Sequence, residues 1–228
     1  MSIALASLAV TTSLVANLPL VVRTYDAVGV SPRTLEQAHA SAALALAAAG
    51  IRPIWRPCHA AGCISRPKAH ELEIRIVNAT GLSQRGSLGF ATVDIVQHVG
   101  TLATVYIDRV DELAIQTGVD RGALLGRAIA HEIGHLILGS TNHAQFGLMR
   151  ATWTAQELRR SLPLDWMFSA RESAEMRRRL SEDVLDLGHE GLLLSSVAVA
   201  RLGDPLSREE EGGHDGVGER ERPRGRQP

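Results

Sequence analysis

The sequence has little of three things: cysteine, aromatic side chains and net charge. Its 228 residues include two cysteines and 4% aromatic residues, and 24 basic side chains nearly balance 25 acidic ones. Without an excess of positive charge, the chain lacks the electrostatic footprint of a nucleic-acid-binding protein. Because 45% of the residues are hydrophobic, we expect an ordinary globular domain with a mostly aliphatic core.

Long apolar runs are also missing, so the sequence predicts no stable membrane span. The first 22 residues carry no charged side chain, yet polar residues and a proline interrupt them: Thr11, Thr12, Ser13, Asn17 and Pro19. This segment resembles a secretory signal, although it lacks the Lys or Arg that usually opens one. We therefore predict a signal peptide over residues 1–17 and a secreted or periplasmic protein.

The two cysteines, Cys58 and Cys63, are close enough in sequence for one loop-closing bridge. In an exported protein we expect them to form a disulfide. The alternative is a metal site that uses both cysteines with His59, but the chain has no second cysteine pair to complete four ligands.

The order of strands and helices indicates an α+β domain. Leu18–Tyr25, Ile51–Arg56 and Glu71–Val77 have the alternation of strands, and Ser31 with Pro32 opens an amphipathic helix that ends before Gly50. The strands on either side of this helix should pair in parallel. Further along, we predict two strands and two helices, at Ser87–Val93, Leu102–Asp108, Asp120–Leu138 and Ala170–Leu187.

The last stretch, residues 203–228, consists mainly of Gly, Glu, Arg and Pro and has too few apolar residues to offset its ordering entropy. We predict that it is a disordered tail. Residues 188–202 contain short apolar runs that should pack on the domain. The folded domain is therefore expected to span residues 18–202, and we expect a monomer.

The chemistry is concentrated in the segment His131-Glu132-Ile133-Gly134-His135. Two imidazoles four residues apart lie on one face of a helix and can reach a single ion. The intervening Glu132 can then take a proton from zinc-bound water and deliver it to a leaving amine. Such a pattern would arise by chance in only ~2% of shuffled sequences of this composition. We predict a Zn²⁺ site that hydrolyses peptide bonds in a protein or peptide substrate.

A catalytic zinc ion usually has three protein ligands, so a third should lie nearby. His143 is the first candidate, because Gly139 permits a sharp exit from the helix and the chain can return within a few residues. The rivals are three later carboxylates, Glu157, Glu172 and Glu175.

These residues, followed by Gly147-Leu148-Met149, resemble the metzincin metalloproteases. The family motif is HExxHxxGxxH, whereas this chain has HExxHxxxGxxxH, with one extra residue on each side of Gly139. The resemblance implies that Met149 is the methionine of a Met-turn beneath the metal. It also implies a zincin-like domain with a twisted mixed sheet of about five strands, an active-site helix and flanking helices.

In metzincins an edge strand binds the substrate backbone, and Ser87–Val93 is its implied counterpart. Some members use a tyrosine after the Met-turn to stabilise the oxyanion, but no tyrosine follows Tyr106 in this chain. Two other functions stay open. One is a metal-binding or structural protein without catalysis. The other is a zinc nuclease with three histidines, although that family's motif lacks the glutamate.

Overall fold

The computed structural model describes residues 17–58, 63, 65, 67–68, 70–79 and 87–182. The predicted tail and residues 188–202 lie outside the described residues, and so do residues 1–16 of the predicted signal peptide. Within the described ranges, no helix is both long enough and apolar enough to cross a membrane.

Five strands form one mixed sheet, which agrees with the predicted α+β class. They are β1 (Leu18–Asp26), β2 (Ile51–Pro57), β3 (Glu71–Val77), β4 (Gly89–Asp94) and β5 (Val99–Tyr106). Their order in the sheet is β2-β1-β3-β5-β4. All neighbours pair in parallel except β4, which runs antiparallel to β5 and forms one edge. The edge position predicted for Ser87–Val93 is therefore confirmed for β4.

Helix α1 (Pro32–Ala48) connects β1 to β2, as the sequence predicted. The Ser31 side chain caps it by accepting a hydrogen bond from the backbone of Thr34, and Pro32 occupies the first turn. Its buried alanines pack against helix α3 (Arg121–Leu138), and the Ser41 hydroxyl donates to the Ala123 carbonyl at 3.2 Å. Because α3 also packs against the sheet, nearly all of its residues are buried.

The predicted end of the last strand is wrong. Strand β5 ends at Tyr106, and Ile107 and Asp108 begin a helix, α2 (Ile107–Thr117), that the prediction missed. This helix buries Ile107, Val110 and Ala114, and Gly118 ends it in the left-handed conformation. Its apolar residues have helical spacing. The start of the helix has no sequence signal, because it follows β5 with no intervening loop and no side chain caps its first turn.

The chain after α3 contains two short helical segments and a longer one. They are α4 (Ala155–Arg160), a 3-10 helix (Pro163–Trp166), and α5, which covers 170–182 up to the end of the described residues. The position of α5 agrees with the prediction, but the sequence analysis missed α4. Buried side chains of this region, including Met149, Leu158, Phe168 and Met176, belong to the same hydrophobic core as α1, α3 and the sheet.

Cys58 and Cys63 are joined by a disulfide bond, with their Cα atoms 5.6 Å apart. The bridge therefore excludes the alternative metal site at these cysteines. It lies beside the part of the sheet formed by β1 and β3, where the Tyr25 hydroxyl is 3.2 Å from the Cys63 carbonyl. In the same region Arg23 and Glu71 form a buried ion pair, and Arg23 also donates to the Ser65 carbonyl at 2.7 Å.

Candidate metal centre

Helix α3 presents His131, Glu132 and His135 from its C-terminal half. The Asp120 side chain caps its start by accepting a hydrogen bond from the backbone of Ala123. Gly139 ends the helix with a φ angle of 56°. A Cβ atom added at this position would lie 2.1 Å from the His98 carbonyl oxygen, so any other residue would collide there. The glycine thus allows the chain to turn sharply after α3, so that His143 lies beside the helix.

Backbone carbonyls fix the orientation of the two helical imidazoles. Nδ1 of His131 is 2.9 Å from the Leu148 carbonyl oxygen, and Nδ1 of His135 is 2.8 Å from that of Ser140. A carbonyl only accepts hydrogen bonds, so Nδ1 carries the proton in both rings. Each neutral ring therefore has a lone pair on Nε2, the nitrogen that is free to bind a metal ion.

The Nε2 atoms of the three histidines converge. Nε2 of His135 is 3.1 Å from Nε2 of His131 and 3.3 Å from Nε2 of His143, and all three ligand nitrogens lie within 4.8 Å of one another. Nitrogens bound tetrahedrally to zinc at about 2.0–2.1 Å are about 3.3–3.4 Å apart. The three histidines therefore form a group that can hold a metal ion, and its dimensions fit zinc.

The electrostatic environment keeps these imidazoles neutral. Burial, together with the neighbouring His135 and His143, lowers the pKa of His131 to about 4. Burial also lowers the pKa of His135 and of His143. At neutral pH each ring is therefore in the uncharged form that donates a lone pair to a metal.

Glu132 is buried beside this group, and its Oε2 atom has no hydrogen-bond partner among the described residues. Burial raises the pKa of this carboxyl to about 8. The other oxygen faces Gly89 at the start of β4, where an added Cβ would lie 2.9 Å from Glu132 Oε1 and 2.5 Å from the Thr104 carbonyl oxygen. The edge strand and the carboxyl group are therefore in direct contact, with no room for a side chain between them.

Met149 is almost completely buried, against the face of α3 between the two helical histidines. A Cβ on Gly134 would lie 2.5 Å from Met149 Sδ and 2.7 Å from Cε1 of Phe168. The peptide that precedes Met149 also takes part in the site, since the Leu148 carbonyl accepts the hydrogen bond of His131. The loop around Met149 thus packs against α3 and orients the His131 ring.

A cleft of about 950 Å³ opens over the three histidines and Glu132. The start of edge strand β4 lines one side, from Gly89 to Ala91, and residues 150–153 line another. Leu113 of α2 and Ala128 of α3 add apolar surface. The cleft therefore exposes the candidate ligands to a molecule that lies along the edge of the sheet.

The three rival carboxylates have other partners. Glu157 bonds to Arg150 and Thr154, Glu172 accepts a hydrogen bond from the backbone of Ser169 at 2.7 Å, and Glu175 pairs with Arg178 and Arg179. Among the described residues, His131, His135 and His143 are the group of potential ligands whose atoms come together.

Sequence reasoning missed several residues around the centre. The contact of Gly89 with Glu132 left no local signal, because it joins residues far apart in the chain. Trp153 and Arg150 line the cleft. Both lie within four residues after Met149, so their closeness to the predicted Met-turn could have indicated this position. Leu113 was missed because α2 was missed.

No protein-family model matches the chain, and no curated protein does so either. The solved structures that are similar to it include these two. One is an archaemetzincin from Methanopyrus kandleri, at a TM-score of 0.45 and 14% identity, covering 72% of this chain and 96% of that one. The other is a zinc-dependent peptidase from Methanocorpusculum labreanum, at a TM-score of 0.41 and 16% identity, covering 68% and 99%. The likeness is loose, so residue roles come from the geometry described above.

Proposed function

We propose that this chain is a zinc-dependent endopeptidase. One observation carries the proposal: three neutral imidazoles converge on one point, and a buried carboxyl group lies beside them, with one oxygen that has no hydrogen-bond partner among the described residues. Three histidines suit zinc, which prefers nitrogen and sulfur ligands, and they leave a fourth position for water or substrate. The cleft along edge strand β4 supports an endopeptidase, because an extended peptide can pair with the backbone of an edge strand.

In this proposal, His131, His135 and His143 hold the metal, and Met149 supports them. A bound zinc ion supplies Lewis acidity, which polarises a substrate carbonyl and makes water easier to deprotonate. A cation held at the three histidines would favour the ionised form of Glu132. The carboxylate would then take a proton from the attacking water and return it to the nitrogen of the leaving amine as the C–N bond breaks. Its contact with Gly89 limits the movement of the carboxyl group, which is 5% exposed where it lines the cleft.

The test compares the full chain with Glu132→Gln and with the control Glu112→Gln, an exposed carboxylate outside the cleft lining. We expect each to bind a single zinc ion at the three histidines by elemental analysis. Cleavage of a mixed peptide library, read by mass spectrometry, should fall about 10²–10⁴-fold in Glu132→Gln, because the general base is lost. The control should cleave normally.

Retention of cleavage by Glu132→Gln would overturn the role of Glu132. Zinc bound at the histidines without cleavage of any peptide by the wild type would instead favour a binding protein. RNA cleavage that survives Glu132→Gln would favour a nuclease.

A further inference from the structure

The wall segment, residues 150–153, follows Met149 directly, and all four of its residues line the cleft. Upstream, it is held because the Ala144 backbone donates to the Met149 carbonyl at 2.8 Å. Downstream, it leads into Thr154, the residue that caps α4. The segment therefore lies between a fixed methionine and the start of a short helix.

Trp153 connects the wall segment to the candidate metal centre. Its indole ring lies 5.8 Å from the His131 ring, centroid to centroid, at an interplanar angle of 84°. On its other side it meets Trp166, at 5.4 Å and 87°. Both contacts have the edge-to-face geometry that aromatic rings favour. The position of Trp153 thus sets the distance between the wall segment and a candidate metal ligand.

Glu157 holds the downstream half of this arrangement at two points. Its Oε1 atom accepts from Arg150 Nη1 at 2.6 Å. Its Oε2 atom accepts from the backbone and the hydroxyl of Thr154, at 2.8 and 2.7 Å. One carboxylate therefore binds the first residue of the wall segment and the residue that follows its last.

The bond between Arg150 and Glu157 is partly sheltered from solvent, whereas the two bonds to Thr154 are exposed. The Arg150 side chain is 10% exposed and that of Glu157 is 24% exposed, so the pair is less screened than a surface ion pair. The Arg150 guanidinium also lies 5.6 Å from the centroid of the Trp166 ring, the same ring that contacts Trp153. Loss of the carboxylate would release both ends of the wall segment together.

We infer that Glu157 is a positioning residue, which sets Trp153 against His131 and thereby fixes the width of the cleft beside the metal centre. Its role in substrate binding rests on the proposed function, whereas its role in placing Trp153 does not. Glu157 is thus connected to the site through the wall segment, not as a ligand.

The experiment uses Co²⁺ alone as a probe, added to the full chain. A paramagnetic ion at the three histidines should quench the fluorescence of Trp153, and Trp153→Phe identifies the part of the signal that this residue contributes. The variants are Glu157→Gln and Glu157→Ala. The matched control is Glu175→Gln, a carboxylate that also pairs with arginine side chains but lies on α5.

We expect both Glu157 variants to bind Co²⁺ with unchanged affinity and to lose most of the quenching assigned to Trp153, with the larger loss in Glu157→Ala. On peptides that the wild type cleaves, KM should rise about 10-fold while kcat changes little, because loss of a contact made equally with the bound substrate and the transition state raises KM alone. The control should match the wild type in both measurements.

Normal quenching in both Glu157 variants would overturn the inference. An equal loss of quenching in Glu175→Gln would also overturn it, because the effect would then be unspecific. If no peptide is cleaved by the wild type but the quenching changes as expected, the positioning role stands and the endopeptidase proposal fails.

Discussion

At the scale of single residues, the centre combines a pattern visible in the sequence with contacts that the sequence does not reveal. The spacing of His131, Glu132 and His135 on one helix follows from helical geometry. The carbonyl groups that bind the two imidazoles could not be predicted from helical spacing. They belong to Leu148 and Ser140, whose positions depend on the conformations of loops. Those partners decide which ring nitrogen is free to bind a metal.

His143 offers the sharpest residue-level prediction, because the motif spacing here differs from that of metzincins. His143→Ala should weaken zinc binding more than about 100-fold, the upper end of what loss of a supporting residue around a metal site causes. Competition with a chromogenic chelator measures the affinity. His39→Ala is the control, since this imidazole stacks on Trp55 and takes no part in the group. Unchanged affinity in His143→Ala would exclude it as a ligand.

Glu157 illustrates what sequence reasoning could and could not settle. As a carboxylate farther along the chain, it is a rival ligand by similarity to zinc proteases with a late glutamate ligand, yet it binds Arg150 and Thr154. The pattern Thr154-Ala155-Gln156-Glu157 has the form of a capping box, which predicts such a local role. Its link to the cleft depends on the fold of residues 150–153, which no local pattern encodes.

At the scale of elements, the sequence predicted those that begin and end with clear signals. Helices α1 and α3 have polar caps at their starts and glycines after their ends, and β3 has strict alternation. Helix α2 lacks a starting signal: the strand residues Val105 and Tyr106 are followed at once by Ile107, and no side chain caps the helix. The boundary between a strand and a helix therefore went unnoticed.

Packing between α3 and the Met149 loop predicts that the substitution Gly134→Ala lowers the free energy of unfolding. Alanine is favoured over glycine inside helices by about 1 kcal/mol, so Gly134→Ala would stabilise an isolated helix. In the protein the new methyl group would lie 2.5 Å from Met149 Sδ. Because Met149 is buried, we expect the overpacking cost of about 1–3 kcal/mol to exceed the gain from helix propensity, which leaves a net destabilisation of up to about 2 kcal/mol.

Urea unfolding of the metal-free chain measures this change. Met149→Leu, which conserves volume, is the comparison and should lose less than about 1.5 kcal/mol. A Gly134→Ala protein as stable as the wild type would show that the loop yields easily, and would remove support for a fixed methionine beneath the site.

At the scale of the whole molecule, two buried polar regions differ in what they require. The histidine group has lone pairs that call for a cation, whereas Arg23 and Glu71, on β1 and β3, neutralise each other. The disulfide lies next to the second region and agrees with an oxidising compartment. Export to such a compartment stays a prediction, as do the signal peptide and the monomeric state.

The Arg23–Glu71 pair predicts how stability depends on pH. Burial raises the pKa of Glu71, but the hydrogen bond from the Lys68 backbone and the charge of Arg23 lower it more, so it lies below its usual value. In the unfolded chain the pKa of a glutamate is about 4.3. Because the pKa of Glu71 is lower in the folded protein, its ionised form stabilises the fold above about pH 4.3, and this stabilisation is lost as the pH falls through the pKa of the folded state.

Glu71→Gln should lose up to about 3–5 kcal/mol at pH 7, since Arg23 is left buried without its closest acidic partner. The difference from the wild type should shrink as the pH is lowered through 4 towards 3. Chemical unfolding at several pH values measures both effects. The exposed Glu112→Gln serves as the control, and a difference that stays constant with pH would contradict the assignment.

The convergence of three imidazoles across the turn at Gly139 also has a thermodynamic consequence. An ion held by His131 and His143 ties the end of α3 to the loop that follows, and only the folded chain offers that site. A ligand with this property stabilises the folded state by about 2.7 kcal/mol when its free concentration is 100 times its Kd. The melting temperature should therefore rise with the free metal concentration, nearly in proportion to its logarithm once that concentration exceeds Kd. A chelator should lower the melting temperature by removing the ion.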